Sequence, residues 1–381
     1  MLQNSKFVII VAGEASADLH GFHLVKTMKR LDPHIVFWGI GGRKMAKAGV
    51  NILFTSSEMA VVGLTEVFFR LHTIAKARNK LKYIIKEKRP DLLILMDYPD
   101  FNIHIAGIAK RFQVPVLYYI GPQVWAWRKG RIRKISRRVD RMAVILPFEE
   151  AFYRQRGMMK VDYVGHPLMD AIPAKGEKDK GMAILGLEGA HPVVGLLPGS
   201  RKEEIRRLLP VLIDTAEILG RRYKEIRFLL PLAPTIEREF AQSFLNDTSV
   251  GISVFQGDIY HALNICDMAL VASGTATLET AIMEVPMVIA YKVSTVSYWA
   301  AKMVVKVPFI GLVNLVAGEK VVPELIQDEV TPGRLAHEAL TILESDDLRK
   351  DMIEKLRGVK KKLGKGGASK ATAEIALEMM R

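Results

Sequence analysis

The sequence predicts an α/β protein made of two Rossmann-like, doubly wound domains that face a cleft. Short apolar runs rich in Val, Ile and Leu alternate with longer amphipathic stretches along most of the 381 residues. Strands buried on both faces of a parallel sheet have such apolar sequences, and their alternation with helices is typical of βαβ units. One polar, glycine-containing segment interrupts the alternation near the middle, which favours two domains over one.

The predicted strands are continuous apolar runs without the alternation of a half-exposed strand. They are Lys6–Ala12, Asp91–Met96, Val114–Ile120, Arg141–Leu146, Val193–Leu197, Ile226–Leu230, Asp267–Ala272 and Pro286–Tyr291. The predicted helices between them include Leu19–Leu31, Thr73–Glu87, Ile103–Arg111, Arg206–Arg221 and Leu278–Glu284. The interrupting segment, Ala171–His191, is the predicted linker. We therefore expect an N-terminal domain over residues 1–170 and a C-terminal domain over residues 171–345.

Composition limits the class of protein. The sequence is 49% hydrophobic and 25% charged, which excludes a chain that is disordered throughout. A single cysteine, Cys266, excludes an intramolecular disulfide and any cysteine-rich metal motif. The apolar run Phe7–Ala12 is too short for the core of a signal peptide, and no run reaches the ~18 apolar residues of a membrane span. We expect a soluble or peripheral protein.

The net charge of +14 indicates an anionic partner. A surface this basic attracts nucleic acid, anionic lipid or phosphorylated substrates. Nucleic acid fits poorly, because the basic run Arg128–Arg141 lacks interleaved exposed aromatic residues and the sequence has no helix-turn-helix or zinc motif. A solvated helix face is the ordinary interpretation of that run, and an anionic substrate or lipid surface is the functional one.

Loops that follow the strands should carry the chemistry, because open α/β sheets bind ligands beyond the carboxyl ends of their strands. The first loop, Gly13–Gly21, places Glu14, Ser16 and Asp18 among small residues that let a ligand approach the backbone. Ser16 could instead cap the next helix, and the spacing falls short of a dinucleotide-binding motif. Glu14 and Asp18 are candidates for substrate binding or for a structural role.

Two carboxylates follow the strand Asp91–Met96. Asp97 comes directly at the strand end, where a carboxylate can accept a proton from an attacking hydroxyl. Asp100 precedes a helix and suits a helix cap. We predict that Asp97 is the chemical residue and Asp100 the structural one.

An aromatic loop follows the strand Val114–Ile120. It contains Trp125, Trp127 and Arg128, and such side chains can stack on a sugar or hold a phosphate. Packing in the core is the alternative, and we expect it for at least one of the two Trp side chains. Trp125 and Arg128 are candidates for substrate binding.

A candidate diphosphate site follows the strand Val193–Leu197. Gly199 lets the backbone turn, and Ser200 and Arg201 precede a helix whose free N–H groups attract anions. The guanidinium of Arg201 adds a fixed positive fork. An ordinary strand-to-helix turn is an equally good interpretation of this loop.

A second nucleotide-binding candidate follows the strand Asp267–Ala272. The hydroxyls of Ser273 and Thr275 and the permissive backbone of Gly274 suit phosphate oxygens at the start of a helix. Glu279, in the first turns of that helix, can accept hydrogen bonds from two vicinal ribose hydroxyls.

Taken together, these loops resemble the lipid-A-disaccharide synthase family, which consists of glycosyltransferases of the two-Rossmann (GT-B) type. The segments that carry the resemblance occur in the family's order over most of the chain. They are Gly13–Gly21, Val62–Val67, Asp97–Asn102, Tyr118–Arg128, Leu146–Glu149, Val164–Leu168, Leu197–Arg201, Ser273–Glu279 and Asn314–Leu315. One departure is Gly121, which stands where the family usually has Ser.

The resemblance implies an inverting transfer from UDP-2,3-diacylglucosamine to 2,3-diacylglucosamine 1-phosphate. The products would be UDP and a β-1,6-linked disaccharide 1-phosphate. It implies Asp97 as the base, Arg201 as the group that neutralises the departing diphosphate, and Asn314 as a further position in substrate binding. It implies no metal and no other cofactor, and it places the final helices, about residues 346–381, back on the first domain.

The partners implied are a UDP-sugar donor, an acylated glucosamine phosphate acceptor and the anionic inner membrane, reached peripherally from the cytoplasmic side. No nucleic acid is implied, and a homodimer is left open. The apolar stretch Met59–Phe69 and the basic run Arg128–Arg141 are candidate membrane contacts, although core packing is the ordinary role of the first.

Two alternatives belong to other classes. A UDP-N-acetylglucosamine 2-epimerase-like enzyme would share the nucleotide site of the second half. It would not explain the aromatic loop, the apolar stretch and the basic run together. A non-enzymatic basic module that binds anionic membrane or nucleic acid predicts salt-sensitive binding that Asp97→Ala leaves unchanged.

Overall fold

The computed structural model describes residues 5–13, 15–59, 67–126, 129–172, 178–295, 298–299, 302 and 307–381. The chain divides into two compact units, residues 1–170 with 365–381 and residues 171–364. Each unit contains one sheet of parallel strands with helices between them. The prediction of two doubly wound α/β domains is therefore confirmed.

The first unit contains a seven-stranded sheet. Its strands are β1 (Phe7–Ala12), β2 (Val36–Gly41), β3 (Val50–Thr55), β4 (Leu92–Met96), β5 (Val116–Tyr119), β6 (Arg141–Val144) and β7 (Val161–Tyr163). They lie in the order β3-β2-β1-β4-β5-β6-β7. The helices are α1 (Ala15–Leu31), α2 (Arg43–Lys47), α3 (Ser56–Met59), α4 (Val67–Lys88), α5 (Pro99–Arg111), α6 (Ile132–Arg138), α7 (Pro147–Arg154) and α8 (Leu168–Ala171).

The central strands are buried on both faces, which explains their continuous apolar sequences. Successive side chains of a strand point to opposite faces of the sheet. In β1, Ile9 and Val11 accordingly join one hydrophobic core, and Val8 and Ile10 join the other. All four side chains are fully buried. A polar residue at any of these positions would leave an unsatisfied group in one of the two cores.

The second unit contains a six-stranded sheet in the order β10-β9-β8-β11-β12-β13. Its strands are β8 (Val193–Leu197), β9 (Arg227–Pro231), β10 (Ile252–Phe255), β11 (Met268–Ala272), β12 (Met287–Tyr291) and β13 (Glu324–Ile326). The helices are α9 (Lys178–Ile184), α10 (Lys202–Arg222), α11 (Arg238–Gln242), α12 (Ile259–Ile265), α13 (Thr275–Ile282), α14 (Leu312–Ala317), α15 (Pro332–Glu344) and α16 (Asp346–Lys362). Over the part of the chain that the structure describes, no helix has the length and apolar character to cross a membrane.

Each sheet has a point where the strand order reverses, between β1 and β4 in the first unit and between β8 and β11 in the second. At such a point the connections leave adjacent strand ends toward opposite faces of the sheet, and a crevice opens between them. The loops after these four strands are the ones in which the sequence places Glu14, Asp97, Arg201 and Ser273.

The last two helices pack on different units. Helix α16 packs against α13 and α14 of the second unit, whereas α17 (Ala368–Met379) packs along α1 of the first. Asp170 accepts hydrogen bonds from the backbone N–H groups of Gly367 and Ser369 at the start of α17. The expectation that residues 346–381 pack together on the first domain therefore does not describe α16, because α16 buries its apolar side chains against the second unit.

Candidate functional site

Asp97 lies in a strained turn between β4 and α5. Asp97 and Tyr98 both have positive φ, 49° and 44°, which costs free energy in residues other than glycine. The Asp97 N–H donates to the Ile120 carbonyl (3.2 Å). The Asp97 carbonyl accepts from Tyr118 Oη (2.5 Å) and Asn102 Nδ2 (2.7 Å). These bonds fix the backbone of a partly exposed aspartate at the carboxyl end of the sheet.

The side chains of Asn102 and Tyr118 hold this turn through their bonds to the Asp97 carbonyl. Neither residue was predicted as a site residue from the sequence. Asn102 is fully buried and also donates to the Met96 carbonyl at 3.0 Å. Burial, followed by the charge of Asp97, raises the pKa of the fully buried Tyr118 phenol, which therefore remains a neutral donor. Tyr118 lies within β5 and Asn102 lies early in α5, so their sequence signal is only that both elements adjoin the strand end of Asp97.

Asp100 differs in detail from its predicted role as a helix cap. Helix α5 begins at Pro99, so Asp100 lies within its first turn and the capping position is Tyr98. The Asp100 carboxylate is exposed and forms an ion pair with Arg131. A negative charge in the first turn still favours the helix through its dipole.

Trp125 packs in the interior. Of the two roles considered for this residue, ligand stacking and core packing, the structure shows core packing. It is 6% exposed, and its ring meets that of Phe148 edge to face at 5.1 Å. Its indole Nε1 donates to Oε1 of Glu149 at 3.0 Å. The other two members of the aromatic loop, Trp127 and Arg128, lie outside the described residues.

The first residues of the aromatic loop are also fixed. Tyr153 Oη donates to the Pro122 carbonyl at 3.1 Å. A Cβ atom at Gly121 would lie 2.5 Å from Cε of Met142. The glycine that departs from the family pattern therefore matches the methionine beside it, and a serine there would require Met142 to move.

Asp18 acts as a cap for α2. Its buried carboxylate accepts hydrogen bonds from the N–H groups of Gly42 (2.6 Å), Lys44 (3.1 Å) and Met45 (3.1 Å). These three bonds to backbone amides give Asp18 a structural role, which was one of the two roles considered for it. Of its two companions in the prediction, Ser16 lies in the first turn of α1, and Glu14 lies outside the described residues.

In the second unit, the loop after β8 is organised by Glu204. One carboxylate oxygen of Glu204 accepts from the N–H groups of Ser200 (2.9 Å) and Arg201 (3.2 Å), and the other accepts from the Arg201 guanidinium (3.2 Å). Gly199 has φ of 114°, and a Cβ there would lie 2.3 Å from Glu204. The side chain of Arg201 is 74% exposed, so its guanidinium can reach an anion beside the loop.

The loop after β11 opens α13 without a side-chain cap. Ser273 Oγ donates to the Ile310 carbonyl at 3.2 Å, and Gly274 occupies the capping position. Thr275 is exposed at the first position of the helix. Because Gly274 offers no side-chain oxygen, the first N–H groups of α13 can donate to phosphate oxygens.

Glu279 lies one turn further along α13 and is partly buried. Burial, followed by the charge of Asp258, raises the pKa of Glu279 to about 7. Near neutral pH this carboxyl group therefore exchanges between an acceptor-only form and a form that can also donate.

Asn314 is fully buried and its amide is completely used within the protein. Its Nδ2 donates to the Val322 carbonyl (2.9 Å) and to Glu324 (2.8 Å), and its Oδ1 accepts from the N–H groups of Val321 and Val322. The other contacts of Glu324 are the N–H groups of Ile310 and Gly311. Asn314 is therefore linked to Ser273 by a chain of hydrogen bonds that runs through Glu324 and Ile310. Its amide has no group left over for a ligand.

Three glutamates that hold these loops, Glu149, Glu204 and Glu324, were not predicted as site residues, although Glu149 ends one of the segments that carry the family resemblance. Glu149 and Glu204 are each the third residue of their helix and accept from backbone N–H groups at its start. Glutamate at this position is a known sequence signature of a helix start. No comparable signal exists for Glu324. Among the described residues, no group of three or more His, Cys, Asp or Glu side chains could hold a metal ion.

Comparison with known proteins identifies the family. Residues 8–379 match the family model described as lipid-A-disaccharide synthetase. The lipid-A-disaccharide synthase of Syntrophus aciditrophicus is 48% identical over 379 residues, which is 99% of each chain.

Solved structures share the fold at low sequence identity. A putative UDP-N-acetylglucosamine 2-epimerase from Listeria monocytogenes has a TM-score of 0.65 at 14% identity and covers 97% of this chain and 95% of its own. The calicheamicin glycosyltransferase CalG4 has a TM-score of 0.65 at 11% identity and covers 99% of each chain. At these identities the likeness concerns the fold alone, and it does not favour one activity over the other.

Proposed function

This chain belongs to the lipid-A-disaccharide synthase family of glycosyltransferases, and we propose that it performs one inverting transfer between two acylated glucosamines. The donor is UDP-2,3-diacylglucosamine, and the acceptor is 2,3-diacylglucosamine 1-phosphate. The acceptor 6-hydroxyl attacks the anomeric carbon, its proton passes to a base, and UDP leaves from the opposite face. The products are UDP and the β-1,6-linked disaccharide 1-phosphate.

The observation that carries this proposal is the placement of Asp97. It lies at the strand-order reversal of the first sheet, and hydrogen bonds to Ile120, Tyr118 and Asn102 hold its backbone. A general base must be held within hydrogen-bond reach of the hydroxyl that it deprotonates. A partly exposed aspartate whose backbone is fixed at the carboxyl edge of the sheet suits this requirement. We assign the acceptor side to this edge and the role of base to Asp97.

The donor side is assigned to the second unit. The uncapped start of α13 offers N–H groups to the diphosphate, and Arg201 adds an exposed positive charge. Glu279, near these groups on α13, accepts the ribose hydroxyls in its ionised form. Charge that develops on the departing UDP is neutralised by donors that are already in place.

An epimerase remains the competing activity for this fold. It would use the same nucleotide loops, but it acts on one soluble sugar and needs no acceptor. The family match of residues 8–379 favours the transferase. The two activities make different predictions for a single assay.

The assay measures UDP release from UDP-2,3-diacylglucosamine in detergent micelles, with and without the 1-phosphate acceptor. We expect release that depends on the acceptor, with one disaccharide formed for each UDP. Release at the same rate without acceptor would indicate hydrolysis and contradict the transfer. UDP binding without any release would support the nucleotide site and refute the assigned substrates.

Peripheral contact with an anionic membrane is a second proposal, and it now rests on part of the basic run. Arg131, Arg138 and Arg141 are engaged in hydrogen bonds or ion pairs within the first unit. Arg133, Lys134 and Arg137 are exposed on α6. The apolar stretch predicted for the same role lies largely outside the described residues, since residues 60–66 are not described.

Removing two of these charges should weaken binding to vesicles that contain phosphatidylglycerol. Each basic residue near such a surface contributes about 1 kcal/mol, so Arg133→Gln with Lys134→Gln should weaken binding at least about tenfold. A flotation assay at low salt measures this. The matched control, Arg221→Gln with Lys224→Gln, removes two exposed charges from the second unit. Equal losses in both double variants would contradict a localised contact.

A further inference from the structure

Glu149 is a buried carboxylate at the start of α7, and it is only 2% exposed. One oxygen accepts from the indole of Trp125 (3.0 Å), and the other accepts from the N–H groups of Ile145 (3.2 Å) and Leu146 (2.9 Å). None of the ion pairs found among the described residues includes Glu149. Burying a carboxylate is costly, and among the described residues three N–H donors offset that cost.

A helix cap alone does not explain this arrangement. The two backbone N–H groups occupy only one oxygen of Glu149, and a neutral Ser or Asn side chain commonly caps a helix start. The second oxygen bonds to Trp125, which is 24 residues earlier on the loop between β5 and α6. The carboxylate therefore connects two strand-end loops of the same sheet.

The loop held by Glu149 is continuous with the support of Asp97. Residue 120, which accepts from the Asp97 N–H, directly precedes residues 121–126. Helix α7 fixes this segment at two points, through Tyr153 to the Pro122 carbonyl and through Glu149 to Trp125. Movement of the segment would thus displace one wall of the edge at which Asp97 lies.

We propose that Glu149 is a positioning residue that clamps the loop of residues 121–126, through the Trp125 indole, beside Asp97 as a wall of the acceptor site. Glu149 does not touch the substrate and acts through Trp125. The inference rests on the assignment of the acceptor to this edge, but the clamp itself can be measured without any substrate.

The electrostatics give the clamp a pH dependence. Burial raises the pKa of Glu149 to about 7. In the part of the chain that the structure describes, the titratable groups that face it are Tyr153 of α7 and Tyr163 of β7. Burial raises the pKa of each phenol, so both remain neutral. The ionised carboxylate accepts hydrogen bonds from all three N–H donors. In the protonated form one oxygen carries a hydrogen, and that O–H group faces N–H groups that cannot accept it. The clamp should therefore weaken as the pH falls through about 7.

Fluorescence tests the clamp independently of activity. The emission of Trp125 is obtained as the difference between the wild type and Trp125→Phe. We expect this difference signal to titrate near pH 7 and to lose that titration in Glu149→Gln. The control, Glu150→Gln, removes the neighbouring carboxylate, which pairs with Arg154 at 2.7 Å and is 33% exposed. A titration that persists in Glu149→Gln would overturn the clamp, whatever the enzymatic activity proves to be.

Kinetics test the role in acceptor binding. Losing a hydrogen bond to a charged group should lower kcat/KM for the acceptor roughly tenfold in Glu149→Gln. The donor KM should not change. Trp125→Phe should act in the same direction, and the double variant should be no worse than Glu149→Gln alone, because both changes remove the same bond. Equal losses for donor and acceptor with a lowered Tm would indicate a merely structural role and overturn the proposal.

Trp125→Phe keeps the proposal falsifiable if Glu149→Gln does not fold. Phenylalanine is smaller than tryptophan, but it retains an aromatic ring for packing on Phe148 and removes the indole N–H. An unchanged kcat/KM for the acceptor in this variant would refute a positioning role for the Trp125–Glu149 bond. If acceptor-dependent release is absent from the wild type, the transferase proposal fails, and the fluorescence titration still decides the clamp.

Discussion

Replacing Asp97 by Asn should lower kcat by roughly 10²–10⁴-fold, because the variant retains the shape of the residue and loses the base. Asparagine is the appropriate substitution since Asp97 has φ of 49°, a conformation that Asn tolerates and Ala does not. The backbone bonds to Ile120, Tyr118 and Asn102 do not involve the carboxylate and should survive the change. Acceptor-dependent UDP release measures the effect.

The specificity of this effect is checked by Asp100→Asn, a change three residues away in the same turn. Asp100 is exposed, and its ion pair with Arg131 lies at the surface, where such pairs contribute about 0–1 kcal/mol. We expect near wild-type activity from this control. Asp97→Asn should also bind UDP with wild-type affinity, because the loops that we propose bind the nucleotide lie in the second unit. Full transferase activity in Asp97→Asn would refute the role of base.

The sequence predicts the centres of the two sheets better than their edges. Strands β1, β4, β8 and β11 were identified to within about one residue because both of their faces are buried. The interior strand β2 was not among the predicted runs, and neither were the edge strands β3, β7, β10 and β13. The residues of these edge strands are mostly half-buried or exposed, so no continuous apolar run marks them.

Helix starts were predicted about one turn too late, because the first turn of these helices has no apolar periodicity. Helix α1 begins at Ala15 rather than Leu19, and α5 begins at Pro99 rather than Ile103. Helices α10 and α13 show the same offset. In each case the first turn lies at the carboxyl edge of the sheet and contains small, polar or charged residues. Apolar periodicity appears only where the helix packs on the sheet.

The sequence predicts where the candidate site residues lie in the fold more readily than it predicts what each side chain does. The rule that chemistry follows strand ends led to Asp97, Arg201 and Ser273, and the structure places all three after strands at the two strand-order reversals. Their roles stay predictions. The rule could not show that Asp18 is used by backbone amides 24 to 27 residues away, or that Asn314 is used by a turn 7 to 8 residues away. Such partners depend on the folded chain, and a polar residue alone does not reveal them.

The second large effect is expected at Arg201. Arg201→Ala should reduce kcat/KM for the donor roughly 10²–10³-fold, the loss typical when one group that stabilises developing negative charge is removed. The side chain is 74% exposed and its partner is Glu204 in the same helix turn, so little stability should be lost. The Glu204 bonds to the N–H groups of residues 200 and 201 remain and preserve the loop.

Arg201→Lys distinguishes charge from geometry. Lysine retains the positive charge but lacks the planar fork that binds two phosphate oxygens, so its activity should lie between those of the wild type and Arg201→Ala. The matched control is Arg206→Gln on the same helix, where the guanidinium pairs with Glu203 and lies 5.5 Å from the Phe240 ring. Donor kinetics and UDP affinity by calorimetry measure all three variants. If Arg206→Gln loses as much kcat/KM for the donor as Arg201→Ala, the effect comes from the total positive charge of this region, and Arg201 has no specific role. If only Arg201 matters and Lys fails to restore activity, the diphosphate requires the fork itself.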